Sequence, residues 1–530
     1  MRRLDFEWSA GSVPQALSVI PWVVVMNENQ VGSPDSSIEV RDRSEVVRGR
    51  LPGDRVVRKQ RRRVQRLRRA LGVAALFSTG YGNVGSSIYY ALGVTTLYAL
   101  GAAPIALMAA GVFFILTVLS YTEATVALPE AGGASSFARR GFNELMSFFA
   151  GWATLLSYVV TISISAFSAV GYLGVFFPVF HEQAWVIGGA VLAIVLLTVL
   201  NLMGVREAAT LSVVFAVIDL IVQVALVVVG GVLLVNLPDL FSRIQWGTAP
   251  TWGGFVYGIS VAMVAYTGIE TISNMAEEVR NPSRNVPRSY FLLIGSVLLL
   301  FFGISVVALA AMPVTCVDGI CSTQLTSMYL DDPVAGIAEN LPEPFNHIFA
   351  PIVGVLAFTI LLIAANAGIL GASRLSFSMG VHRQIPPLFH KIHPTLHTPY
   401  VAILFFGTVA VLLVLSGDVA QLADVYIVGA MLTFTMAHLA VVGMRIKEPN
   451  LERPFKLPFN FMVRGYEIPI TPLIGGGATA IVFVMVFTTR DFGRNVGLAW
   501  ILLGMALYIW YRRKAGLSIW EPADRLAHHG

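Results

Sequence analysis

Two apolar stretches, each long enough to cross a bilayer, are interrupted at their middles by residues that helices do not favour. Leu71 to Tyr98 contains Ser78-Thr79-Gly80-Tyr81-Gly82-Asn83-Val84-Gly85-Ser86-Ser87, and Trp252 to Met275 contains Ala265-Tyr266-Thr267-Gly268-Ile269-Glu270. Hydrocarbon offers backbone amides no water, so an unwound segment at membrane depth survives only where it lines a cavity or is buried in protein. A matched pair of breaks in the two halves of a chain marks the cargo site of a transporter.

The rest of the chain agrees with a membrane reading. Of 530 residues, 56% are hydrophobic and 13% charged, where a soluble chain carries about 25% charged residues. The net charge of +5 is not gathered on a soluble domain, which excludes nucleic acid as a partner and leaves the lipid bilayer. Residues 1–68 read as a cytosolic basic tail, largely disordered, whose apolar run Val13 to Met26 contains Pro14 and Pro21. That run is shorter than the ~20 residues a span needs and lacks a signal-peptide cleavage site. Sequence alone leaves open whether it precedes the true start. The basic cluster from Arg55 to Arg69 lies just before the first span, where it acts as a topogenic charge run against anionic lipid.

Twelve spans are expected, at 71–93, 102–127, 143–178, 183–203, 208–235, 253–277, 288–312, 346–377, 399–416, 421–444, 468–488 and 494–512. They form a transporter domain over 69–515, followed by a short cytosolic tail at 516–530. With the N-terminus inside, inner loops receive Arg139, Arg140, Arg206, Arg280, Arg284, Arg288, Arg374, Arg383, Lys391, Arg445, Lys447, Arg453, Lys456 and Arg464, and outer loops only Arg243, Arg490 and Arg494. This asymmetry places both termini in the cytoplasm of a multi-pass inner-membrane protein. The breaks open spans 1 and 6, so spans 1–5 and 6–10 form two five-helix units. An odd number of spans per unit inverts the second relative to the first, and spans 11 and 12 are additional.

The breaks also suggest a ligand. Where span 1 restarts after Gly85, the amides of Ser86, Ser87 and Ile88 would lack intrahelical acceptors and suit a carboxylate. Carbonyls at the preceding end, Phe77 to Gly80, and at Ala265 to Thr267 would suit an ammonium or a coupling cation. Amides on one side and carbonyls on the other fit a zwitterion. The structural alternative is that Gly and Ser only permit close helix packing.

At these residues the chain resembles the amino acid-polyamine-organocation (APC) superfamily of permeases. Val84-Gly85-Ser86-Ser87-Ile88-Tyr89 is similar to the Ile-Gly-Ser-Gly-Ile-Phe pattern of the family, with Ser87 in place of its second Gly. A β-carbon there either shrinks the pocket or brings a hydroxyl to the ligand. Tyr121-Thr122-Glu123-Ala124, Pro129-Glu130-Ala131-Gly132-Gly133 and Asn201-Leu202-Met203-Gly204-Val205-Arg206-Glu207 resemble the exits of spans 2 and 4. Most specific is Tyr266-Thr267-Gly268-Ile269-Glu270, followed by Glu277-Glu278-Val279-Arg280-Asn281-Pro282 and Asn285-Val286-Pro287-Arg288. Ser373-Arg374-Leu375 and Arg383-Gln384-Ile385-Pro386-Pro387 resemble the span 8 exit.

The resemblance implies an all-α leucine-transporter fold and secondary transport of amino acids or related amines by alternating access. It carries Gly82, Asn83, Val84, Gly85, Ser86, Ser87, Ala265, Tyr266 and Thr267 over as substrate-binding positions. Glu270, one turn below, is either a helix-entry carboxylate or a contact for a cationic cargo. Many proton-coupled members place a Lys in span 5, and here Asp219 occupies that position. An ionisable residue inside a span is a functional candidate by default. Asp219 would carry a coupling proton, or stay ionised and hold a metal cation or an Arg. The bland alternative is a water-exposed carboxylate in a vestibule.

Other features are discounted or left open. His390, His393 and His397 lie among Pro386, Pro387 and Pro394 in an inner loop, so no metal site is expected there, and none elsewhere. Asp491-Phe492-Gly493 has no kinase context. There is no phosphate-binding glycine loop, His-Glu-x-x-His motif or nucleophile elbow, so the chain does not read as an enzyme or an ATP-driven pump. No cofactor is expected beyond the coupling ion, a proton. Cys316 and Cys321 stand open between a disulfide and two free thiols. Two alternatives remain: a potassium transporter of the same superfamily, since Gly82-Asn83-Val84-Gly85-Ser86-Ser87 is loosely similar to its Gly-Asp-Ile-Gly-Thr-Ser, and an amino-acid sensor that does not transport. Substrate identity and oligomeric state are open.

Overall fold

The computed structural model describes residues 69, 71–204, 209–242, 244–318 and 320–522, so the basic tail expected at 1–68 lies outside the described residues. Ten helical segments are long and apolar enough to cross a bilayer, the first of which, Val73–Ala127, turns back at Leu100 and holds two crossings. With the shorter apolar helix Tyr400–Val414, the described residues make twelve crossings.

Span 1 consists of Val73–Val84 and Ile88–Ala99, and span 2 is Ala103–Ala127. Spans 3, 4 and 5 are Glu144–Gly171, Gln183–Leu202 and Ala209–Leu234. Span 6 is split into Trp252–Ala262 and Glu270–Asn274, and span 7 is Pro282–Ala311. Spans 8 to 12 are Phe345–Val381, Tyr400–Val414, Val419–Lys447, Ile470–Thr489 and Asp491–Lys514. Polar caps set several starts: Asn143 accepts from the Met146 amide at 2.9 Å, Thr251 from Gly254 at 3.0 Å, and Asp418 from Ala420 at 2.8 Å. Span 7 begins six residues before the expected 288, because Asn281 turns with φ +46° and Pro282 sits in the first helical turn, where its missing N–H costs nothing.

Burial sorts the helices into a centre and a rim. The apolar window of span 3 is 100% buried and those of spans 6 and 10 are 78% buried, against 28% for spans 4, 5 and 12. Spans 3, 6 and 10 therefore form the interior against which the breaks are set. Span 12 is fastened to span 3 by Trp152 and Trp500, which stack 4.7 Å apart, each indole donating to the other's carbonyl at 2.8 and 2.9 Å.

The two membrane faces differ in charge. The loop between spans 7 and 8 carries Asp318, Asp331, Asp332, Glu339 and Glu343 and defines an acidic side. Its hairpin pairs β1, Thr315–Val317, with β2, Ile320–Ser322, and Cys316 is joined to the facing Cys321 by a disulfide, which decides the question left open above. On the opposite, basic side, β3, Asn460–Val463, pairs with β4, Tyr466–Pro469, ahead of span 11. Glu123, at the end of span 2, accepts from Arg445 of span 10 at 2.7 and 2.8 Å and from the Leu457 amide at 2.8 Å. Arg445 also reaches Glu467 of β4 at 3.2 Å, which ties the hairpin to spans 2 and 10. The start of the expected C-terminal tail is held as well: buried Arg512 donates to the carbonyls of Ser518 and Glu521, and the Tyr508 hydroxyl to that of Ile519 at 2.7 Å.

Glu123 and Arg445 are each 2% exposed, so removing Arg445 leaves a buried carboxylate with only the longer 3.6 Å ion pair to Arg453 and the Leu457 amide. Arg445→Met is expected to destabilise the purified protein by about 3–5 kcal/mol. The Glu123→Gln/Arg445→Met double variant should recover most of that loss, and a melting temperature unchanged in Arg445→Met would show that the pair does not hold this face together.

Candidate functional site

Span 6 is broken outright. Its first half tightens into a 3-10 turn over Met263–Tyr266, then Thr267 takes an extended conformation and Gly268 a φ of +104°, a region that side chains disfavour. The helix restarts at Glu270. The freed backbone finds partners: the Gly268 amide donates to the Glu270 carboxylate at 3.2 Å, the Thr267 amide to the Val264 carbonyl at 3.2 Å, and the Tyr290 hydroxyl to the Ile269 carbonyl at 3.2 Å.

Span 1 is interrupted more gently than its sequence suggests. Phe77 to Gly80 lie inside Val73–Val84, so their carbonyls are not the open end expected of them, and Gly85–Ser87 form a 3-10 turn rather than an unwound gap. The seryl hydroxyls are already engaged: Ser86 and Ser87 donate to the Asn83 carbonyl at 3.1 and 3.3 Å, and Ser87 accepts from Tyr90 at 2.9 Å. Ser87 thus braces the turn in this conformation. Its departure from the family glycine gives the turn a side-chain bond that glycine cannot supply.

The two breaks meet. Asn83 donates to the Thr271 hydroxyl at 2.7 Å and lies over Gly268, where an added Cβ would fall 2.9 Å from the Asn83 amide group. The other flank of the turn faces span 5, with Gly82 against Ala216. One turn further along span 5, Asp219 is 0% exposed, which removes the water-exposed reading. Its carboxylate accepts from Tyr89 at 2.6 Å, Tyr81 at 3.1 Å and Gln223 at 2.8 Å. Tyr81 and Tyr89 lie on opposite sides of the 3-10 turn, so one carboxylate of span 5 clamps both halves of span 1.

Glu270 is 5% exposed, and no Lys, Arg or His among the described residues forms an ion pair with it. Buried phenols surround the restart of span 6 instead. Tyr158 of span 3 accepts from Asn274, Tyr426 of span 10 accepts from Thr161 at 2.7 Å, and the hydroxyl of Tyr121 in span 2 is buried without a partner. Tyr266, a predicted site residue, turns away and donates to the Leu107 carbonyl at 2.8 Å. The phenols of Tyr81, Tyr89, Tyr158 and Tyr426 were not singled out from sequence, and their only signal there is a polar tip on an otherwise apolar span. The residues at the breaks are sealed from solvent, with Ser86, Ser87, Tyr266 and Thr267 each 1% exposed.

A family model described as amino acid permease matches residues 71–509, which takes in both breaks and all the residues above. The branched-chain amino acid permease BcaP of Bacillus subtilis is 25% identical over 478 residues, 84% of this chain and 94% of that protein. The methylthioribose transporter of the same organism is 26% identical, covering 78% of this chain and 86% of its own length. The low-affinity putrescine importer PlaP of Escherichia coli is 24% identical, covering 76% and 84%.

Gly268 is required twice, by its φ and by the closeness of Asn83. Gly268→Ala is expected to destabilise the protein by about 1–3 kcal/mol through crowding of the two breaks. A thermal unfolding curve that superposes on that of the wild type would show that spans 1 and 6 are not in contact here.

Proposed function

The chain belongs to the amino acid permease family, and from that premise we propose that it carries amino acids or related organic amines across the membrane by alternating access, binding them where spans 1 and 6 meet and drawing on protons bound at Asp219. It is a multi-pass membrane protein with a small-molecule cargo, and it is not an enzyme. The observation that carries the finer reading is Glu270, a buried carboxylate at the restart of a broken helix with no cationic side chain among the described residues in an ion pair with it. A buried unpaired carboxylate is unfavourable, and the ammonium of an amino acid or amine is the partner the site lacks. The open backbone of Ala265–Thr267 supplies carbonyls beside it. In this structure the amides of Gly82–Ser87 belong to the helix and its 3-10 turn, so they would take the carboxylate of a zwitterion only on unwinding of that turn.

Two relatives named for branched-chain amino acids and putrescine agree with an ammonium-bearing cargo. The relative named for methylthioribose shows that similar chains serve other cargo, so the ammonium itself has to be tested. Asp219 supports coupling because its protonation would alter the two hydrogen bonds that hold both halves of span 1 against span 5. The excess of Arg and Lys on one face supports an orientation with the basic side and both termini in the cytoplasm of the inner membrane.

Reconstituted protein is expected to take up a branched-chain amino acid or putrescine, and the same compound lacking its amine should fail to compete. Absence of uptake for any amino acid or amine by intact protein would sink this reading. Glu270→Gln removes a charge-assisted bond worth about 1.5–3 kcal/mol, so the KM for an ammonium cargo should rise about tenfold or more. Asp219→Asn should abolish accumulation driven by a pH gradient while sparing exchange of cargo, and normal accumulation in that variant would assign coupling to another group.

A further inference from the structure

Between β2 and span 8 the chain crosses the acidic side as two short helices, Gln324–Ser327 and Pro333–Glu339. The link between them is deeply seated. A Cβ built on Gly93, in the second half of span 1, would lie 2.2 Å from the Leu330 carbonyl oxygen, so only glycine admits the link. On its other flank Asp331 packs on Gly171 at the end of span 3. The Val334 amide donates to the Tyr172 hydroxyl at 3.2 Å, and that hydroxyl donates to the Tyr89 carbonyl at 2.7 Å. Residues 330–334 therefore form a lid wedged between spans 1 and 3, on the acidic side of the break.

Two carboxylates go down with the lid. Asp332 is 3% exposed, and its Oδ2 is buried without a hydrogen-bond partner. Asp331, partly buried, is its neighbour in the chain. The charges that act on the pair are all acidic: Asp418 of the span 10 cap on Asp331, and Asp331 and Glu339 on Asp332. Asp418 is engaged by the amides of Ala420 and Gln421, and Glu339 by the Tyr329 hydroxyl at 2.8 Å. Tyr172, the titratable group facing the lid from span 3, is occupied by the backbone bonds described above. An orphaned carboxylate oxygen among like charges is unfavourable when ionised and is relieved by a proton.

We propose that Asp331 and Asp332 form a proton-binding site of the lid: residues 330–334 seat between spans 1 and 3 with a proton on Asp332 Oδ2 and lift when it is lost, so acid on this side closes the transporter. Burial, aided by Asp418, pushes the Asp331 carboxyl up to about 6, and burial with Asp331 and Glu339 holds Asp332 well above the usual carboxylate range. The seated lid thus binds protons that the lifted, hydrated carboxylates release at their ordinary pKa of about 4. Closure is favoured as pH falls and is lost as pH rises through the seated value. The inference rests on alternating access but not on Asp219 as the coupling group.

The test uses the full chain carrying Val334→Cys, a position 0% exposed in the seated lid. Both native cysteines are held in the Cys316–Cys321 disulfide, so the new thiol is the one that reacts. Labelling by a water-soluble maleimide is measured at about pH 5 and about pH 8 and normalised at each pH to the denatured protein, which removes the intrinsic pH dependence of the thiol. Protection is expected to be about tenfold greater at the lower pH, and Asp331→Asn/Asp332→Asn should be protected equally at both. The response should persist in Asp219→Asn. Equal protection at both pH values in the parent, a pH response retained by the Asn pair, or a response abolished by Asp219→Asn would each overturn the site. Should the Asn pair fail to fold, hydrogen exchange over residues 325–340 of the unaltered chain decides, since a lid unaffected by pH there contradicts the proposal. Failure of uptake for every cargo alongside an intact lid response would strike the proposed function and leave the proton site standing.

Discussion

The need to satisfy backbone groups at membrane depth shapes the centre of this molecule. Span 6 abandons helical geometry at Thr267 and Gly268, and side chains meet groups freed there: Glu270 the Gly268 amide, Tyr290 the Ile269 carbonyl. Span 1 meets the same need differently, by narrowing to a 3-10 turn at Gly85–Ser87 and keeping its direction. A 3-10 turn has poorer hydrogen-bond geometry than the helix on either side, so it is the point at which span 1 yields most easily. The two breaks are thus unequal, one held open by its neighbours and one held closed.

Acidic groups are buried here in two ways, and the difference separates scaffold from site. Glu123 is matched by Arg445 with two charge-assisted bonds, by Arg453 at 3.6 Å and by a backbone amide, and Arg445 in turn by Glu467, an arrangement whose charges cancel. Asp219 and Glu270 are matched by phenols, amides and a glutamine, donors that satisfy lone pairs without cancelling charge. Neutrality at the first kind of site is permanent. At the second, the function proposed above has neutrality come from a proton or a cation that arrives and leaves.

The span count and both breaks were legible in the sequence, because lipid enforces long apolar runs and tolerates polar interruptions only where protein covers them. The position of Glu270 at a helix restart and of Asp219 inside span 5 could be read for the same reason. The form of the span 1 break could not. Gly82 and Gly85 suggest unwinding, yet Tyr81, Tyr89 and Ser87 supply the side-chain bonds that keep the turn wound. Which tyrosines face inward is hidden because lipid and protein interior are equally apolar, so a membrane helix has no strong polar face to orient it. The start of span 7 was missed for a local reason: hydropathy begins after the charged turn, but Asn281-Pro282 already starts the helix.

Tyr89 joins what would otherwise be separate devices. Its hydroxyl donates to Asp219, and its carbonyl accepts from Tyr172, which in turn holds the Val334 amide of the lid. The link is not a proton wire, because the Tyr172 hydroxyl ends on a backbone carbonyl and passes nothing to the Tyr89 phenol. What it transmits is position. A shift of the second half of span 1 that released Tyr89 from Asp219 would move the carbonyl on which Tyr172 and the lid depend. Conversely, a lifted lid removes a bond that fixes Tyr172, and with it one restraint on that half of span 1. One residue of the broken helix is thus shared by the Asp219 clamp and the lid, a positional link that leaves the lid's own response to pH with Asp331 and Asp332.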